Sequence, residues 1–210
     1  MKKGVFIVFE GGEGSGKTSH SKAVAARLRE AGHDVLHTAE PGGSEVCMKI
    51  RRLILDEQPE PIGSRAELLL FLADRAHHVE HVIRPALAAG KIVICDRFSG
   101  STFAYQIGGR ELPDPDSIIA MDAYARGGLI PDAVLYLDVS VETGIARRMS
   151  DTTAEVNRLD NEKFDFHNRV RDYFLKLSAE QSYWQCISTE GERAENEEKI
   201  FASVQKLLDL

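Results

Sequence analysis

Apolar positions along the chain fall into two alternating rhythms. Short unbroken runs rich in β-branched residues read as buried parallel strands; longer stretches with apolar residues three and four apart read as helices. Val5 to Phe9 is the first run, and Glu10 ends it. A helix follows over about 17–31, with Ala23, Val24 and Leu28 as its stripe and Gly32 behind it. A second strand is predicted over 34–38 and a second helix over 48–55, stopped by Pro59 and Pro61. One long helix is predicted over 64–89. It opens on the capping-box pattern Ser64-Arg65-Ala66-Glu67, and Pro85 bends or breaks its last turns. The third strand is predicted over 91–96.

The stretch 99–110 is polar and glycine-containing, with Phe103 and Tyr105 embedded. A helix over 113–126 offers Ile118, Ile119, Met121 and Tyr124 to the core. The fourth strand covers 133–139, and Ser140 caps a helix through 149. Residues 150–161 have no apolar period and read as a candidate flap. A helix over 163–185 carries Phe164, Val170, Phe174 and Leu177. A short strand over 186–188 and a last helix over 192–210, with Ile200, Val204, Leu207 and Leu208, complete the chain. Such alternation predicts an α/β fold, a parallel sheet with helices on both faces, in one domain spanning 1–210.

The first strand runs into Gly11-Gly12-Glu13-Gly14-Ser15-Gly16-Lys17-Thr18, which fits G-x-x-x-x-G-K-[ST]. Glycines let successive backbone N–H groups converge on an anion, and the following helix points its N-terminus at the same place. Lys17 can reach the β/γ-phosphates and Thr18 can offer a hydroxyl to Mg²⁺. The motif predicts binding of a nucleoside triphosphate and leaves the phosphoryl acceptor open.

Composition narrows the partners. A formal net charge of -7 over 210 residues argues against a broad nucleic-acid surface, while permitting a local basic pocket. Cys47, Cys95 and Cys186 are scattered without metal-ligand spacing and read as reduced thiols. No apolar stretch reaches membrane-spanning length and no signal-peptide pattern is evident, so a cytoplasmic protein is the expectation.

Ligands in such sheets sit at the C-terminal strand ends, where Glu13, Glu40, Asp96 and Arg97 fall. Asp96 can stand near Mg²⁺ or merely cap the next segment, and Arg97 can fork onto a phosphate or form a structural ion pair. Phe71 and Arg75, four apart, share a helix face that can seat a planar base; core packing of Phe71 is the alternative. Arg147, Arg148 and Arg158 are either cations that close over a triphosphate or a solvated charge run. His77, His78 and His81 read as ordinary surface or interface histidines.

Together these residues resemble bacterial thymidylate kinases nearly end to end. The resemblance is carried by Phe9-Glu10-Gly11 with the loop, Glu40-Pro41-Gly42-Gly43, Phe71 with Asp74-Arg75-Ala76, Asp96-Arg97-Phe98, Ser101-Thr102-Phe103-Ala104-Tyr105-Gln106 and Tyr136-Leu137-Asp138. It implies the P-loop NTPase fold, a five-stranded parallel sheet of order 2-3-1-4-5 flanked by helices, with a lid over about 148–162. It implies ATP and dTMP as substrates, Mg²⁺ with the ATP, and a homodimer.

By the same resemblance, Gly11, Gly12, Glu13, Gly14, Ser15, Gly16, Lys17, Thr18 and Arg147 bind ATP. Glu13, Arg51, Phe71, Arg75, Arg97, Ser101, Tyr105 and Gln106 bind dTMP. Phe71 stacks on the thymine and Arg75 bonds its edge; Arg97 holds the monophosphate, and Tyr105 closes the sugar side. Thr18 and Asp96 are the implied metal residues, and Lys17, Arg97, Arg158 and Glu13 the catalytic ones. The loop carries no arginine, so the resemblance assigns the catalytic cation to Arg158. Other readings are a kinase for another pyrimidine monophosphate, such as dUMP or CMP, and a non-enzymatic nucleotide switch.

Overall fold

The computed structural model describes residues 4–150 and 162–209. Five parallel strands form its sheet: β1 (Val5–Gly11), β2 (Val35–Ala39), β3 (Ile92–Asp96), β4 (Ala133–Asp138) and β5 (Trp184–Ser188), in the order β2-β3-β1-β4-β5. This is the expected order. The helices are α1 (Lys17–Glu30), α2 (Glu45–Leu55), α3 (Ser64–His78), α4 (Arg84–Ala88), α5 (Ser99–Thr102), α6 (Pro115–Ala125), α7 (Val141–Ser150), α8 (Phe164–Glu180) and α9 (Arg193–Leu207).

Side chains alternate across β1 and so feed two cores. Phe6 and Val8 join Val93, Cys95, Tyr136, Phe166 and Phe174 on one face. Ile7 and Phe9 join Val24, Leu28, Ile94, Leu137, Ile200 and Val204 on the other. Burial on both faces explains why the strands read as continuous apolar runs. A smaller cluster, Leu68, Leu72, Ile118 and Ala125, ties α3 to α6.

Several local expectations are corrected. The long helix over 64–89 is three pieces, with a π-helical segment, Val79–Ile83, between α3 and α4. The wide turn immediately precedes Pro85, which has no N–H to donate and whose ring crowds the preceding turn. Ser64 and Glu67 form no capping box: the helix is capped one residue earlier, by Gly63, and the Glu67 carboxylate turns inward to Gln106 and Arg110. The stretch 99–109, for which composition gave no element, is helical, as α5 followed by a second π-helical segment, Phe103–Gly109. On α6 the inward face is Ile118, Asp122 and Ala125, while Ile119, Met121 and Tyr124 face outward, Tyr124 with 90% of its surface exposed. Phe164 is likewise exposed, and Phe166 takes its place in the core. α8 ends at Glu180, so that Trp184 can pair with Val134 at the start of β5.

Candidate active site

β1, β2 and β3 end side by side, with Phe9 paired to Asp96 and Asp96 to Ala39. This register gathers the phosphate loop, Glu40 and the Asp96-Arg97 pair at one edge, where a cavity of about 830 Å³ opens. The loop's conformation requires glycine at two places. Gly16, with φ 81°, starts α1 from the left-handed region. Gly14, with φ 66°, lies so close to the Gly144 carbonyl that any Cβ would overlap it.

Lys17 is buried and folds back to donate from Nζ to the Gly12 carbonyl at 3.1 Å. Burial, then the neighbouring Arg97, lowers its pKa, with Glu13 and Asp96 opposing. The Thr18 hydroxyl donates to Asp96 Oδ2, while Asp96 Oδ1 is buried with no partner among the described residues. A hydroxyl beside a carboxylate with an unused buried oxygen is a hard-oxygen donor set, and it fits Mg²⁺ held directly or through water.

Arg97 adopts φ 71°, outside the usual range for a side-chain-bearing residue, and its N–H donates to the Phe9 carbonyl. That backbone turn aims the guanidinium back at the loop. There it donates to Glu13 Oε1 at 2.8 Å, to Ser101 Oγ at 2.9 Å, to the Gly11 carbonyl at 3.1 Å and to Tyr105 Oη at 3.2 Å. Tyr105 also donates to Glu13 at 2.7 Å. Burial alone would raise the Glu13 carboxyl, but Lys17 and Arg97 outweigh it and hold it at about 2. Burial opposes the charge of Arg97 as well, and Tyr105, Glu13 and Asp96 more than offset it.

Ser101 is an intermediary. Its hydroxyl accepts from Arg97 and donates to Glu10 Oε2 at 2.6 Å, while Glu10 Oε1 accepts from the N–H groups of Phe98 and Ser101. Glu10 is wholly buried, and burial lifts its carboxyl to about 7.

At the other end of the cavity Phe71 is half-buried, packed on the core and lining the opening. Arg75 is 2% exposed and bonded to Glu40, Thr102 and Asp122. Gln106 donates to Glu67 at 2.8 Å and keeps a buried Oε1 without a partner among the described residues. Arg51 lines the wall and donates to the Pro41 carbonyl. Arg147 lies at the rim, donating to the carbonyls of Thr189 and Glu190. Arg158 lies outside the described residues.

Sequence reasoning missed several members. His78, read as surface, is fully buried between Glu40 Oε1 at 2.8 Å and Thr38 Oγ1 at 2.7 Å. With Glu40 and Cys95 it forms a triad of potential metal donors. Both Glu40 oxygens and both ring nitrogens of His78 are already hydrogen-bonded, so the triad is internal wiring of the wall. Asp122 left a faint signal, a carboxylate four residues beyond Ile118 and three before Ala125 on one helix face.

A phosphate-cradling turn at the sheet edge, continuous with a second walled compartment carrying its own cations, defines a P-loop kinase of small phosphorylated acceptors. The family is also defined: residues 9–200 match Thymidylate kinase, and the chain belongs to that family. It is 45% identical over 176 residues to the thymidylate kinase of Latilactobacillus sakei, covering 83% of this chain and 82% of that protein. It is 45% identical over 182 residues to that of Desulfovibrio desulfuricans, covering 84% and 83%. The crystal structure of thymidylate kinase from Ehrlichia chaffeensis matches with a TM-score of 0.78 at 30% identity, over 97% of this chain and 99% of that one.

Proposed function

We propose that the protein transfers the γ-phosphoryl group of ATP to dTMP, giving dTDP and ADP. The observation that carries this is one continuous cavity with the Lys17 loop at one end, the Phe71–Arg75 face at the other and Arg97 between them. That spacing suits a triphosphate and a monophosphate laid end to end. A dTMP phosphate oxygen attacks the γ-phosphorus in line; a monoester dianion is already nucleophilic, so no strong base is needed. The backbone of Gly11–Gly16 and Lys17 hold the triphosphate, Arg147 borders its outer part, and Arg97 and Arg51 hold the acceptor phosphate. Glu13 and Tyr105 orient the sugar, Phe71 stacks on the base, and Arg75 and Gln106 bond its edge. Thr18 and Asp96 would hold Mg²⁺, which would supply positive charge to offset that of the phosphoryl group in transfer. Arg158, in a lid over about 148–162 of a single domain, supplies the remaining cation.

α3 packs between α2 and α6, and the three expose Val46, Leu53, Leu69, Ile119, Met121 and Tyr124. A second copy of the chain covering this face would give the homodimer. Val79 and Ile83, in the π-helical segment after α3, belong to the core and not to that face. No helix among the described residues is long and apolar enough to cross a membrane, which is compatible with a cytoplasmic site of action.

A coupled ADP-release assay across dTMP, dUMP, CMP and dCMP tests the reading. Turnover should depend on dTMP, with weaker use of dUMP, since one methyl in an apolar pocket contributes only about 1–3 kcal/mol. ATP consumption indifferent to dTMP would overturn it and favour a nucleotide switch.

A further inference from the structure

We propose that Asp122, on α6 and outside the cavity, is a positioning residue that sets the plane of Arg75 and with it the choice of pyrimidine. The proposal rests on the reading of the Phe71–Arg75 face as the base site. Arg75 has three anchors. Nε donates to Glu40 Oε2 at 2.9 Å, and Nη1 donates to Thr102 Oγ1 at 2.8 Å and to Asp122 Oδ1 at 2.6 Å. Its guanidinium carbon stands 5.0 Å from the centroid of the Phe98 ring, which supports the plane from one side. This leaves Nη2 without a protein acceptor among the described residues, on a side chain that lines the cavity.

Asp122 is itself fixed. It is completely buried, and its second oxygen accepts from Arg126 Nε at 3.1 Å, while Arg126 Nη1 donates to the Leu129 carbonyl at 2.8 Å. Two guanidinium groups therefore grip one carboxylate from opposite sides, and the carboxylate in turn fixes the inner guanidinium. Glu40, on the far side, anchors only Nε, about which the planar group can still pivot. Thr102 and Asp122, both on Nη1, remove that freedom, and Asp122 is the charged one of the two.

The consequence is selectivity. A guanidinium carries only donors. Held in one plane, Nη2 offers its protons to an acceptor such as the carbonyl on the edge of thymine or uracil. It meets a donor, the amine, on the corresponding edge of cytosine. A guanidinium free to swing could turn away from that amine, whereas a fixed one cannot. A site built around a fixed hydrogen-bond partner rejects the mismatched ligand more strongly than an apolar pocket does.

Asp122→Asn keeps the shape and removes the charge. The expected result is a dTMP Kd and KM raised about tenfold, the loss typical of one hydrogen bond to a charged group. KM for ATP should be unchanged, and the preference for dTMP over dCMP should fall by a similar factor. Direct titration of dTMP without ATP separates binding from turnover, and a thermal melt reports folding. Arg126→Gln, which loosens Asp122 without touching Arg75, should move the same quantities in the same direction by a few-fold, and carries the test should Asp122→Asn not fold. A folded Asp122→Asn with wild-type dTMP affinity and selectivity overturns the proposal, as does an unchanged Arg126→Gln where only that variant folds. Equal losses toward dTMP and ATP also overturn it, since they would mark a merely structural role. A wild-type protein that does not bind dTMP would instead overturn the functional reading beneath it.

Discussion

The two ends of the cavity are built on opposite plans. The end proposed for the triphosphate is one unbroken stretch, Gly11 to Thr18, in which glycines let backbone N–H groups converge on an anion. The acceptor end is assembled from α3, α5, the π-helical segment after it, α6 and the loop after β2, and its polar groups are side chains locked in buried pairs. Among the described residues, Lys17 at the first end hydrogen-bonds a loop carbonyl alone. Arg75 at the second holds two carboxylates, each no more than 3% exposed. The first cation is tied to the fold by one hydrogen bond among the described residues, the second by three. The difference suits the task. A triphosphate brings four charges of its own and needs a cradle, while a neutral base must be read by groups already in place.

The largest contrast should come from removing each cation. Arg75→Ala removes a buried cation from both Glu40, which keeps His78, and Asp122, which keeps Arg126, and should cost about 3–5 kcal/mol of stability in urea denaturation. Lys17→Ala should leave the urea midpoint near wild type and lower kcat by about 10²–10³-fold, the range for a lost cation at developing charge. Similar destabilisation by both variants would erase the distinction. Arg158→Ala extends the comparison to the lid proposed over about 148–162. Its kcat, measured at saturating substrates, should fall about a hundredfold with far less change in KM for dTMP. Equal turnover in mutant and wild type would remove Arg158 from its role.

The smallest effect concerns Glu10, which underlies the junction between the ends. Burial raises its carboxyl from an ordinary value near 4.5 to about 7. Between those values the folded protein keeps a proton that the unfolded chain has released. Its stabilising contribution is complete below pH 4.5 and is lost as pH rises through 7. From pH 5 to pH 8, wild type should therefore lose more Tm than Glu10→Gln. The expected excess is about 4–8 °C, since a shift of this size amounts to roughly 2 kcal/mol over that window and about 1 kcal/mol moves Tm by 2–4 °C in a domain of this size. Parallel pH profiles for the two proteins would show that Glu10 does not titrate in this window.

The sequence by itself determined whatever depends on neighbours along the chain. The phosphate turn, the strand–helix alternation and the parallel sheet all follow from spacing, because a glycine turn or an apolar period acts over a few residues. The family resemblance extended this to the sheet order. Tertiary structure decided whatever depends on partners far apart in sequence. Helical spacing on α6 suggested Ile119, Met121 and Tyr124 for the core, yet only packing against α3 selects Ile118, Asp122 and Ala125 as the inward face. His78 looked like a surface residue until β2 brought Thr38 and Glu40 against it. Glu67 fitted a helix cap until Gln106 and Arg110 claimed its carboxylate. A buried polar group goes where its hydrogen bonds can be completed, and those partners exist only once the chain has folded.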